Sequence, residues 1–109
     1  AINYPGSSIE NDFGWAPMHP VVEAYKSYQQ MPYDRPTWDL TSVLYSVEGP
    51  SYFNVSPAGK INVTDQGATE FTPDAAGNRY YLTVDSIQAE NIKQHFVQLL
   101  TKQPAHFNK

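Results

Sequence analysis

Apolar residues recur at helical spacing in three stretches of the chain and alternate with polar ones in a fourth. Val21, Ala24, Tyr25 and Tyr28 fall on one side of a 3.6-residue period, with Glu23, Lys26 and Gln29 on the other. Pro20 opens this helix, where a missing N–H costs nothing. Two prolines in Met31-Pro32-Tyr33-Asp34-Arg35-Pro36 end it in a loop. The next period is Leu40, Val43, Leu44 and Val47, started by Asp39 and stopped by Gly49-Pro50. The third is Ile92, Phe96, Leu99 and Leu100, in a helix from about Ser86 that Pro104 ends. Asp85 and Gln88 have capping-box spacing at its start.

Between the second and third helices the period drops to two. Tyr52-Phe53-Asn54-Val55, Lys60-Ile61-Asn62-Val63-Thr64, Ala68-Thr69-Glu70-Phe71-Thr72 and Arg79-Tyr80-Tyr81-Leu82-Thr83-Val84 read as four short strands. Ser56-Pro57-Ala58-Gly59, Asp65-Gln66-Gly67 and Pro73-Asp74-Ala75-Ala76-Gly77-Asn78 read as the turns between them. Residues 1–18 have no period. Phe13, Trp15 and Met18 are bulky there, so this loop is expected to pack against something. The fold expected is α+β: three helices and a four-stranded antiparallel meander. It forms one unit, with a helical part over 1–50, the meander over 51–84 and the last helix in 85–109.

The 109 residues suffice for a single domain. Hydrophobic residues at 40% against 17% charged describe an ordered chain. A formal charge of -4, with 7 scattered Lys and Arg, argues against a nucleic-acid groove, which needs clustered positive charge. The absence of cysteine removes disulfides, zinc thiolates and thiol nucleophiles, and leaves the compartment open. No apolar run is long enough to span a membrane. The first residue is Ala1, which reads as processing or as a piece of a longer protein.

Asp39 carries the most chemistry, with an aromatic before it and an apolar helix after it. Asp is a good N-cap, its oxygen accepting from first-turn N–H groups. A carboxylate fixed there is also a hard-cation ligand, although calcium takes six to eight oxygens and the others must come from elsewhere. Both roles are compatible with two oxygens. Trp38 is either a hydrophobic closure of the helix start or a stacking platform beside a site. Tyr33, Asp34 and Arg35 are solvated loop residues or the lid of a site. His19 belongs at a helix start, and His95 and His106 at the surface; no two are spaced as a helical metal pair. Asn54-Val55-Ser56 and Asn62-Val63-Thr64 match glycosylation sequons that are common by chance.

The run from Arg35 through Trp38-Asp39-Leu40 to Tyr45 resembles the C-terminal part of nucleoside hydrolases of the inosine-uridine-preferring type. So do Ser8 to Phe13, His19 to Tyr25, and the strand region around Ser56-Pro57-Ala58-Gly59-Lys60. The resemblance implies a fragment of a larger α/β hydrolase, whose parallel-sheet core lies in a missing N-terminal part. It implies cleavage of the N-glycosidic bond of ribonucleosides. A calcium ion there binds the ribose hydroxyls and a water, and an Asp takes that water's proton. Asp39 matches the family's late metal-ligating Asp. Trp38 stands where many members have His, which is similar to the purine-preferring branch and implies stacking on a purine base. Tyr33 and Arg35 would be loop contacts to the substrate.

The family's Asp-rich motif has no counterpart, since Asp12, Asp34, Asp39, Asp65, Asp74 and Asp85 are all isolated. The ribose-gripping Glu and Asn also lack one. No catalytic residue is therefore expected within this chain, which would be inactive alone. A homo-oligomer is a candidate assembly, and the bare chain is expected to self-associate through Phe13, Trp15 and Trp38. The alternative is a non-catalytic α+β binding or structural module.

Overall fold

The computed structural model describes residues 1–105. The expectation for His106 lies outside them. The order is β1 (Asn3–Tyr4), α1 (Gly6–Asn11), α2 (Pro20–Tyr28), β2 (Arg35–Pro36) and α3 (Trp38–Glu48), then a 3-10 turn (Pro50–Tyr52). There follow β3 (Asn54–Val55), β4 (Gly59–Val63), β5 (Thr69–Pro73), β6 (Leu82–Thr83) and α4 (Ser86–Leu100). The α+β class holds. The described residues form four α-helices where three were expected, and three separate two-stranded antiparallel pairs.

The added helix is α1, inside the stretch read as irregular. It is six residues long and has no side-chain cap of its own. Its cap comes from 28 residues away, where Asp34 accepts from the Gly6 N–H at 2.8 Å. Gly6 is required because a β-carbon would collide with the Tyr33 backbone. Inside, Ile9 is buried, and the Tyr4 and Ser8 hydroxyls share a 2.7 Å hydrogen bond. Burial raises the Tyr4 pKa, with the Ser8 bond working against it.

Pro20 opens α2 as expected, behind His19, whose Nδ1 accepts from the Val21 N–H at 3.2 Å. The face turned to the core is Val21, Val22 and Tyr25, whereas Ala24 and Tyr28 are exposed. In α4 the Asp85–Gln88 capping box is complete, at 2.7 and 2.9 Å. Its Ile92 is 0% exposed and Phe96 is buried, but Leu99 lies open.

The four strands do not form a meander. β3 pairs with β6, Asn54 opposite Thr83 and Val55 opposite Leu82, while β4 pairs with β5. The pairing of β3 with β6 continues through the Ser56 N–H on the Tyr81 carbonyl at 2.9 Å and a Gly59–Arg79 bridge. Residues 54–59 thus run along 79–83 in one direction, and Ser56-Pro57-Ala58 is not a reversal. Pro57 has no N–H to donate, so it interrupts the ladder without turning the chain. The reversal falls at Thr64–Gly67, with Gly67 at φ 84°. The result is a hairpin nested in a hairpin, its inner half reaching away from the body.

Seven hydrophobic residues make the buried core: Tyr4, Ile9, Phe13, Leu44, Phe53, Ile92 and Phe96. Phe13 belongs to it, and Trp15 is half-buried with its indole N–H on the Thr101 carbonyl at 3.0 Å. Of the three aromatics expected to be bare, only Trp38 is, at 70% exposure. Phe13 is enclosed in the core, and Trp15 closes onto the end of α4.

Candidate cation site at the start of α3

The position of α3 is set by β1. Asn3 lies opposite Pro36 and Tyr4 opposite Arg35. Just beyond, Thr37 donates to the Ile2 carbonyl through both its N–H, at 3.0 Å, and its hydroxyl, at 2.7 Å. Thr37 is the residue that precedes the first helical turn, and it makes no side-chain cap. Asp39 is therefore not the N-cap. It lies within the first turn, one residue past Trp38, and its carboxylate is exposed. The N-cap expectation fails because the helix begins two residues earlier than a cap at Asp39 would place it, on Trp38, with Thr37 already anchored to Ile2 just before β1.

The Asp39 carboxylate has no hydrogen-bond or ion-pair partner among the described residues. Three other aspartates are engaged: Asp34 with Gly6, Asp74 with Ala76 and Lys60, and Asp85 with Gln88. A negative group in the first turn also opposes the helix dipole favourably. Its oxygens remain available to a hard cation. No group of three or more His, Cys, Asp or Glu that could hold a metal exists among the described residues.

Trp38 and Asp39 point to different flanks. Trp38 and Ser42 line an open cleft of about 640 Å³ with Phe53, Leu82, Val84 and Ser86. Asp39, 100° further round the helix, shares its flank with Val43 one turn later. Val43 and Val47 are bare there, Val47 at 76% exposure. They border an apolar groove closed by Leu40, Leu44, Phe96, Leu99 and Leu100.

Tyr33 and Arg35 are engaged with α2. The Tyr33 hydroxyl donates to the Tyr25 carbonyl at 2.7 Å, and the two rings stack at 5.0 Å. The Arg35 guanidinium lies 4.7 Å from the centre of the Tyr28 ring and bonds its hydroxyl. These contacts fasten the 29–34 loop to α2. Burial, then the neighbouring Tyr33, raises the Tyr25 pKa.

One pairing has no signal in the spacing of the sequence. His95 Nε2 lies 2.7 Å from a Glu48 carboxylate oxygen, and its ring stacks on Tyr52 at 5.1 Å. This ties the end of α3 to the middle of α4 across 47 residues. His95 is thus a clamp rather than a simple surface residue. No helix among the described residues is long and apolar enough to cross a membrane. No known protein family, curated protein or solved structure matches the chain.

Proposed function

We propose that this chain is the C-terminal portion of a calcium-dependent nucleoside N-ribohydrolase, inactive alone, with purine nucleosides preferred. The observation that carries the reading is Asp39: an exposed, unpartnered carboxylate held in a first helical turn, on a flank whose next residues are apolar and bare. A carboxylate with both oxygens free is the donor that calcium favours, so the residue fits as one ligand of the ion. The remaining ligands, and the group that accepts the proton from water, would come from an upstream α/β core seated on the Asp39–Val43–Val47 flank.

Bound calcium would hold the ribose hydroxyls and acidify a water for attack at the anomeric carbon. Asp39 supplies negative charge and a fixed direction, because its backbone is anchored through Thr37 to Ile2. Trp38, about 100° round the first turn from Asp39, offers an open ring to a base that reaches across the helix start from the metal-bound ribose, and such stacking contributes roughly 1–3 kcal/mol per base. Tyr33 and Arg35 support the site by bracing the loop that leads into α3, and are candidate substrate contacts at its edge.

The test is ribose release by the full-length protein that carries this chain. Inosine should be hydrolysed faster than uridine, activity should disappear with a calcium chelator, and Trp38→Ala should raise KM about 5-fold or more, as loss of one stacking contact implies. Hydrolysis indifferent to chelation would contradict the metal assignment. A second reading, a non-catalytic binding module, is favoured by the cleft beside Trp38, which contains hydroxyls as well as rings. Saturable quenching of Trp fluorescence by saccharides, with no ribose release from the full-length protein, would select it.

A further inference from the structure

The start of α2 carries a cap that can take up a proton. Pro20, the first helical residue, has no N–H, so the first donor left open at this end is that of Val21. His19 Nδ1 accepts from it at 3.2 Å, and this is the side-chain cap of α2. A backbone N–H only donates, so the bond requires a lone pair on Nδ1. The ring is then neutral, with its proton on Nε2. Asparagine, aspartate and serine are the usual residues at such a position, and the Asp85 carboxylate fills it for α4. Histidine differs from them in changing its hydrogen-bonding role within the range of about pH 5 to 8.

The ring is half-buried and held from outside α2. Its centre lies 4.5 Å from that of Phe13, and it meets Trp15 edge-on at 5.6 Å. Its hollow is bordered by Glu10 of α1 and by Glu23 and Lys26 of α2, the last two paired at 3.6 Å. Asp12, the only charged residue of the 12–18 loop, does not border it. These groups bear on when the ring takes a proton. None returns an acceptor to it afterwards, because a protonated imidazole carries an N–H at both nitrogens.

We propose that His19 is an acid-sensitive latch on α2, closed while its ring is neutral and opened by protonation, which turns Nδ1 into a donor facing the Val21 N–H. The hydrogen bond is lost, and a positive charge then stands at the positive end of the helix dipole. The first turn is thereby held at neutral pH and released as pH falls. The other end of α2 stays fastened by the Tyr25–Tyr33 stack and by Arg35 on the Tyr28 ring. The proposal is independent of the hydrolase reading.

An NMR titration of the 109-residue chain from about pH 7.5 to 5, across the ordinary histidine range, tests it. The Val21 amide resonance should move with the midpoint of the His19 ring. Hydrogen-exchange protection of Val21 and Glu23, corrected for intrinsic rates, should fall about 5-fold or more, as loss of one cap implies. The first turn of α4, capped by Asp85, should keep its protection. His19→Asn retains an acceptor that does not titrate, and should leave the protection of α2 flat across the range. The wild-type titration decides by itself should that variant fail to fold. A Val21 amide that ignores the titration of His19, or the same pH dependence of α2 in wild type and His19→Asn, would each overturn the proposal.

Discussion

Thr37 directs both its backbone N–H and its hydroxyl to the Ile2 carbonyl, and so fixes the direction in which Asp39 leaves the helix. That arrangement was only half legible in the sequence. An Asp after a Trp at the head of an apolar period marks a helix start, but whether it caps the helix or projects from its first turn depends on Ile2, 35 residues earlier. Other residues sort by burial. Ile92 is fully enclosed by the core, so Ile92→Ala should cost about 2–5 kcal/mol. Val47→Ala, on an open flank, should cost under about 0.5 kcal/mol in the isolated chain. Urea midpoints that ranked the two equally would contradict the assigned core. The buried tyrosines give a pH dependence. Burial raises the folded-state pKa of Tyr4 and Tyr25 above 10.0. A raised folded pKa means that the native state holds its proton longer than the unfolded chain. The stabilisation is therefore complete below pH 10 and is lost as pH rises through the folded values. Stability should fall as pH rises above about 10, and less so in Tyr25→Phe; a flat profile in urea unfolding would be inconsistent with these environments.

At the scale of elements, what could be read was what is local. α2, α3 and α4 declare themselves through period, an N-terminal Pro and a capping box, all within a few residues of each end. What could not be read depends on distant partners. α1 is too short to show a period and is capped by Asp34. β1 and β2 are two residues each and exist only as a pair. The strand order was misread because Pro57 and Gly59 look like a turn, whereas Pro57 only interrupts the β3–β6 ladder. Asp34→Ala should therefore cost about 1 kcal/mol, the usual value of a lost N-terminal cap, and should speed amide exchange within Gly6–Asn11 while leaving α4 unchanged. Slow exchange persisting in α1 would show that the remote cap is not what holds it. Asp85→Ala should have the complementary effect on α4, of about the same size.

The whole molecule is longer and more open than its size warrants. Its radius of gyration is 17.6 Å, against about 13 Å for a compact domain of this length. The nested hairpin accounts for part of this, and the groove between α3 and α4, lined by Val43, Val47 and Leu99, for another part. An upstream core on the groove would cover that face. The isolated carboxylate of Asp39 lies on the flank that borders the groove, where such a core would bring further oxygen ligands. The most direct measurement is turnover and calcium affinity of the full-length protein with Asp39→Ala. Loss of one ligand should cut kcat/KM by more than the roughly 10–100-fold that outer-shell changes cost, and should weaken calcium binding in parallel. Turnover and affinity close to the wild type would contradict the assignment of Asp39 to the metal.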